Sequence, residues 1–440
     1  MMKLKTKHAT SLIALLLVVC MSLAGCTAGS NVNANVPEQN PTDAVLSMED
    51  EAVLEYTIPE QHPGLVVDRS GYSLLEKKYA YAVTKYYPSD FKIVNEETGE
   101  VVFEGTPEHI ARREEDGLYV SELIFEEVQK EGTYHIEMDM VGDSYSFTVD
   151  DTLFTDKYNS LLEEEIKKCK DDSLTIGELY SLTYVVDCYT HSVPDHDEAE
   201  PELVAALKTF IDGADVTAIP ESDMLKFAAA LARFSFYLSG SDKKTSDTYI
   251  NTAKEVFKDA IKNVSGLDED DVFLALCELY RRTGDRAYYN EIEKLKSSIM
   301  EKEYPLNSRS LLYGAMTYMT TTKTVNVDFC EYLMKQLLTL CEDISKDDSI
   351  ADVMEGEDAD VSLILGYCQQ LAALNGVLEG YQYNALLTNY MHFLNGRNYA
   401  EIDASTIEEW TADSIILYSW LTLVEKEGKM SPSAQLSWSY

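Results

Sequence analysis

Basic residues are scarce in this chain of 440 residues. Thirty-six Lys and Arg face 77 Asp and Glu, a formal charge of −41. No basic stripe offsets that excess, and so acidic a surface repels phosphate backbones, which argues against a nucleic-acid partner. Paired cysteine motifs are missing too. Cys20 and Cys26 lie near the N-terminus, and Cys169, Cys188, Cys277, Cys330, Cys341 and Cys368 form no CxxC and no Cys/His cluster, so zinc is not indicated. Cys277 and Cys368 fall on apolar helical faces, and such cysteines read as small core residues rather than a disulfide framework. There is no glycine-rich phosphate loop and no nucleophile elbow, and the seven histidines form no constellation. The acidic run from Asp347 to Asp360 lacks EF-hand spacing and reads as a solvated loop between helices. No cofactor and no metal site is indicated. Tryptophan is rare, at 3, while tyrosine reaches 29. With 45% hydrophobic residues the chain has enough apolar material for real cores, which excludes global disorder.

The N-terminus carries Lys3, Lys5 and Lys7 and then an apolar run from Ser11 to Cys20, too short to span a bilayer comfortably. Leu23-Ala-Gly-Cys26 follows it, with the order and spacing of a bacterial lipobox. Residues 1–25 are therefore expected to be a lipoprotein signal peptide, with Cys26 carrying the lipid. Residues 26–60 lack apolar periodicity and read as a flexible tether. The expected protein is extracytoplasmic and held at the bacterial cell membrane through that lipid alone.

Two periods divide the rest. From 61 to 151 the pattern alternates with period two: strands are predicted at Lys78–Val83, Asp90–Val94, Val101–Phe103, Gly132–Met138 and Tyr145–Val149, with a hairpin turn at Glu96–Gly99. Short strands at this spacing predict a β-sandwich. From 152 to 430 the period is 3.6, and twelve helices are predicted, the first near 155–170 and the last near 405–427. Twelve helices pair into six hairpins, which suggests a closed toroid. A helical solenoid is the alternative, but no self-similarity at a fixed period supports it.

Four segments carry a family resemblance. They are Val66-Val-Asp-Arg-Ser-Gly-Tyr72; Gly132-Thr-Tyr134 with Tyr145-Ser-Phe147; Cys277 through Thr283-Gly-Asp285, followed by Tyr288; and Tyr390 through Asn395-Gly-Arg-Asn398. In this order the chain resembles family 9 glycoside hydrolases, cellulases with an N-terminal immunoglobulin-like domain, over roughly residues 64–427. The resemblance implies an immunoglobulin-like sandwich before an (α/α)6 six-hairpin toroid, and a β-glucan-type polysaccharide or oligosaccharide as partner.

Inverting hydrolysis, the chemistry the resemblance implies, needs a base and an acid ~6.5–9.5 Å apart with a water between them. The family's Asp-Ala-Gly-Asp base motif is absent: the corresponding stretch runs from Asp171 to Tyr184, where Asp172 and Glu178 are the acids nearest in place. Both also suit helix capping. Asp413 aligns with the family's acid, a glutamate, but reaches one methylene less far, and it also suits a helix cap. The aligned helices place Tyr180, Tyr184, Tyr313, Trp410 and Trp420 as candidate sugar-stacking residues, although tyrosines at this spacing more often serve packing. The expectation is a surface lipoprotein that binds or scaffolds glycan with catalysis lost or impaired. The alternative is an inverting hydrolase that uses Asp413 with a relocated base such as Asp172 or Glu178. A transporter's solute-binding lipoprotein would need a two-lobed α/β pattern, which is missing.

Overall fold

The computed structural model describes residues 64–114, 116–187, 201–346, 361–378, 383–398 and 410–426. Cys26, Cys188, the tether and the acidic run at Asp347–Asp360 lie outside the described residues.

Ten strands form the sandwich: β1 (Leu65–Val66), β2 (Tyr72–Ser73), β3 (Tyr79–Thr84), β4 (Phe91–Asn95), β5 (Val101–Gly105), β6 (Glu108–Arg112), β7 (Tyr119–Ile124), β8 (Gly132–Met138), β9 (Gly142–Asp143) and β10 (Phe147–Asp150). One sheet runs β1-β3-β7-β6, the other β2-β10-β8-β4-β5 with β9 also on β8; only β2 and β10 pair in parallel. Strand alternation builds the core. β8 buries Tyr134, Ile136 and Met138 and turns Thr133, His135 and Glu137 outward. Tyr72, Phe125 and Phe147 pack edge-to-face or tilted at 5.3–5.5 Å between the sheets.

Five of the ten strands were not among those predicted: the two-residue β1, β2 and β9, and the longer β6 and β7. β6 is a polar, exposed edge strand, interrupted by His109 at φ 50°, so it shows no alternation. β7 places Ser121 at an inward position, which hides its period. The last strand begins at Phe147, and Tyr145 lies outside it.

The helices are α1 (Leu153–Lys170), α2 (Ile176–Asp187), α3 (Pro201–Gly213), α4 (Met224–Leu238), α5 (Lys243–Asn263), α6 (Glu269–Thr283), α7 (Arg286–Glu301), α8 (Arg309–Thr320), α9 (Val327–Lys346), α10 (Val361–Leu378), α11 (Asn384–Leu394) and α12 (Trp410–Lys426). Even-numbered helices form an inner ring. Each packs on the next, and α12 packs back on α2, so the toroid closes. Burial separates the two rings. α5, an outer helix, buries Ser246, Tyr249, Ile250, Ala253, Val256 and Ala260, a single stripe. Inner α4 buries every residue from Phe227 to Ser235. Helix ends follow local chemistry: Asp242 accepts from Thr245 N, which starts α5 at Lys243. Gly284, at φ 67°, ends α6, and Asp285 caps α7 by accepting from Ala287 N at 2.9 Å. Cys169, Cys277, Cys341 and Cys368 are buried as free thiols.

Two of the resembling segments meet where the sandwich joins the ring. His392 of α11, fully buried, places Nδ1 2.6 Å from Asp68 and Nε2 2.9 Å from Glu76. Beside it, Arg397 lies 4.2 Å over the Tyr79 ring and hydrogen-bonds Asn389. Burial disfavours the imidazolium, but Glu76 and Asp68 outweigh it and raise His392 from 6.5 to about 9. A raised folded-state pKa means that this stabilisation is complete below about pH 6.5 and is lost as pH rises through about 9.

Chemical denaturation between pH 6 and 10 is therefore expected to show stability falling on the alkaline side. His392→Ala should flatten the profile below about pH 8, where the buried cysteines do not yet contribute, and cost about 3–5 kcal/mol at pH 6, because two buried carboxylates lose their cation. An undiminished loss between about pH 6.5 and 8 in the variant would refute the assignment.

Candidate functional site

All six inner helices contribute to one axial cavity of about 380 Å³. Its lining comes chiefly from their C-terminal halves, including Tyr184 and Asp187 of α2, Arg233 of α4, Arg281 of α6, Thr317 of α8 and Trp420 of α12. Each inner helix is separated from the next by an antiparallel outer one, so the inner helices run parallel and the cavity lies towards their C-terminal ends. The volume is at the small end of the ~300–1,000 Å³ usual for ligand sites.

The floor is a buried ionic network. Arg233 donates to Asp187 Oδ2 (2.5 Å), to Glu278 Oε1 through Nε and Nη2 (2.9 and 2.6 Å) and to Thr317 Oγ1 (2.6 Å). Arg281 Nη2 reaches Asp187 Oδ2 at 2.7 Å. Glu278 Oε1 also accepts from Thr317 (2.8 Å) and from the Tyr180 hydroxyl (3.1 Å). Two guanidiniums thus balance two carboxylates, the condition under which burying four charges is tolerable. Burial alone would lower the Arg233 pKa; Glu278 and Asp187 reverse this and raise it well above its ordinary value. Burial likewise raises the Tyr180 pKa far above the phenol range, so it stays a neutral donor.

The aromatic wall contains three of the five residues that the sequence singled out. Tyr184, Tyr313 and Trp420 line the cavity, with the Tyr184 and Tyr313 rings 4.7 Å apart and the Arg233 guanidinium 4.4 Å from Tyr184. Tyr180 is buried behind them, against Glu278. Trp410 opens α12, and its side chain lies outside the described residues. Polar groups interleave the wall: Thr320, Gln369 and Ser419 also face the cavity.

The three candidate acids stand elsewhere, towards the N-terminal ends of α2 and α12. Asp172 is exposed in the turn after α1, at φ 55°. Glu178 forms a capping box with Thr175: its carboxylate accepts from Thr175 N (2.6 Å) while its own N–H donates to Thr175 Oγ1 (3.2 Å). The other oxygen of Glu178 takes Lys168 Nζ at 2.8 Å. Asp413 pairs with Arg309 at 2.6 Å, and Arg309 donates onward to Ser181 at 2.5 Å, linking α12, α8 and α2. Asp187 is the carboxylate that lines the cavity among the described residues, and two arginines hold it.

The sequence reading did not single out Asp187, Arg233, Glu278 or Arg281. A usable signal existed: Arg233 directly follows the apolar run Ala228-Ala-Ala-Leu-Ala232, and Glu278 the apolar run Phe273-Leu-Ala-Leu-Cys277, each longer than one helical turn. A charge in such a position needs a buried partner. One set of metal-ligating groups also stands out, His135, Glu137 and Asp143, on the sandwich.

Residues 60–143 match the family described as cellulase N-terminal ig-like domain, and residues 187–402 match glycosyl hydrolase family 9. Among solved structures, a family 9 glycoside hydrolase from Bacteroides ovatus is similar over 82% of this chain and 99% of its own, with TM-score 0.62 and 14% identity. A metagenome-derived family 9 endoglucanase is similar over 77% and 84%, with TM-score 0.59 and 13% identity. AaCel9A in complex with cellobiose-like isofagomine is similar over 76% and 82%, with TM-score 0.57 and 15% identity. At such identities the likeness is one of fold. A comparison with curated protein sequences found no match.

Arg233→Met should leave Asp187 and Glu278 short of a cation and cost about 3–5 kcal/mol. Arg233→Lys should recover little, since an ammonium cannot serve both carboxylates through a planar fork. Urea denaturation monitored by circular dichroism checks both. A Lys variant as stable as wild type would show that the forked geometry is unimportant.

Proposed function

The chain belongs to glycoside hydrolase family 9, and from that premise we propose that it is a surface lipoprotein that binds a β-glucan-type oligosaccharide in the axial cavity, with hydrolysis lost or impaired. The observation that carries the reading is the composition of the cavity: four aromatic rings (Tyr184, Phe236, Tyr313 and Trp420), hydroxyls and an amide surround Asp187, the one carboxylate among the described lining residues, already held by two arginines. Aromatic faces suit the C–H faces of pyranose rings, and hydroxyl and amide tips suit their hydroxyls. Inversion needs one protonated and one ionised carboxyl group across a water-sized gap. Glu178 is committed to a helix cap and to Lys168, and Asp413 to Arg309, which supports impairment.

The hydrolase reading retains one specific support. Asp413 stands near the start of the last helix, where the family's acid is expected, and Asp172 is exposed. In that reading Arg309 must release Asp413, or hold it ionised as a base.

Isothermal titration with cello- and mixed-linkage oligosaccharides is expected to give heat with wild type. Trp420→Ala should bind roughly tenfold more weakly, a loss of about 1.4 kcal/mol from one stacking face. No heat with any of these sugars sinks the binding proposal, whereas reducing-sugar release that vanishes in Asp413→Ala would restore the hydrolase.

Membrane attachment rests on Leu23-Ala-Gly-Cys26. Palmitate labelling in a bacterial host should mark the wild type, and Cys26→Ser should remove both the label and the membrane fractionation. Labelling that survives the substitution would refute Cys26 as the anchor.

A further inference from the structure

The outward face of the sandwich brings together groups that the helical cavity does not involve. His135 and Glu137 are two residues apart on β8 and so share one face of the strand, and Asp143 of β9 lies directly across from Glu137 in the sheet register. One ligand atom from each lies within 4.8 Å of the others. Behind them, Glu96 Oε1 is 2.9 Å from His135 Nδ1 and is itself fixed by the Ser146 hydroxyl at 2.6 Å.

That second contact decides the chemistry. A carboxylate on Nδ1 selects the tautomer whose proton sits there, which leaves the Nε2 lone pair directed at Glu137 Oε1, 3.4 Å away. Two lone-pair bearers at that separation repel unless a proton or a metal cation lies between them. For tetrahedral zinc with bonds of ~2.0–2.1 Å, neighbouring ligand atoms stand about 3.3 Å apart. His392 shows the contrast. It also faces two carboxylates, but at 2.6 and 2.9 Å in a sealed interior, where a shared proton suffices. His135 has the longer distance on Nε2, a third ligand in Asp143, and access to solvent.

We propose that His135, Glu137 and Asp143 form a transition-metal site of zinc class, with Glu96 orienting the imidazole from outside. One imidazole and two carboxylates favour Zn²⁺, Co²⁺ or Ni²⁺ over Ca²⁺ and Mg²⁺, which prefer all-oxygen shells. Three protein ligands leave the remaining positions to water. Bound metal ties β9 to β8 and so holds the turn around Met140, which is 89% exposed and at φ 66°. The site is independent of the glycan reading, since it lies on the sandwich and uses no cavity residue.

The test is calorimetric titration of the untagged mature protein with ZnCl2, CaCl2 and MgCl2 at pH 7.5. One zinc per chain is expected, without measurable Ca²⁺ or Mg²⁺ binding at the same concentrations. His135→Ala should weaken zinc binding at least a hundredfold, and Glu96→Gln should weaken it ~10–100-fold while the three ligands remain in place. With Co²⁺, visible absorption of low-symmetry coordination should appear in wild type and disappear in His135→Ala. Zinc binding unchanged in His135→Ala, no binding up to millimolar zinc, or equal binding of Ca²⁺ each overturns the proposal. Circular dichroism confirms that the surface variants fold, so a loss of binding cannot be ascribed to unfolding.

Discussion

Arg233 is the interaction on which the ring depends. From α4 it reaches α2 through Asp187, α6 through Glu278 and α8 through Thr317, so one guanidinium joins four of the six inner helices. Helices buried on every face have no polar stripe to set their rotation about their own axes, and apolar packing alone tolerates several rotations. A planar five-donor group with three specific acceptors removes that freedom. Arg281 completes the charge balance, because Arg233 alone would leave one carboxylate in excess. The network resists collapse of the cavity floor: moving any one of these four helices inward breaks a charged hydrogen bond.

A comparable economy governs the junction between sandwich and ring. Asp68 and Glu76 are buried beside each other's histidine, and His392 is the only one of the three that can carry positive charge. Tyr72 packs 5.0 Å from the imidazole, so the same tyrosine that fills the sandwich core also covers the clamp. The sandwich therefore does more than precede the helices; its first two loops supply the carboxylates of a buried ionic contact whose imidazole is on α11.

Much of this architecture was legible in the sequence because it rests on period. The change from two to 3.6 near residue 150 separates sandwich from ring, and Thr283-Gly-Asp285 marks a helix corner through its glycine and its capping acid. Edge strand β6 was not legible because nothing in it alternates. In the site, the tyrosines and Trp420 could be proposed from helical position, since a ring of parallel helices puts like positions on one axis. The acids could not be placed that way. A carboxylate at a helix start looks the same in sequence whether it serves chemistry, a cap or an ion pair, and only Thr175, three residues before Glu178, distinguished the cap. The partners of Arg233 lie 45 to 84 residues away, and Glu96 lies 39 residues before His135, beyond any local pattern.

The parallel run of the inner helices has a consequence for charged visitors. Each inner-helix C-terminus carries roughly half a negative elementary charge from its aligned peptide dipoles, and in this ring those ends all stand on the cavity's side. The arginines that might offset them are neutralised below, by Asp187 and Glu278. A uronate or a phosphorylated sugar approaching from that side moves up an electrostatic slope, steepened by the acidic chain around it, while an uncharged sugar chain does not feel it. For a sugar that enters from that side, charge would be sorted before the aromatic wall discriminates by shape.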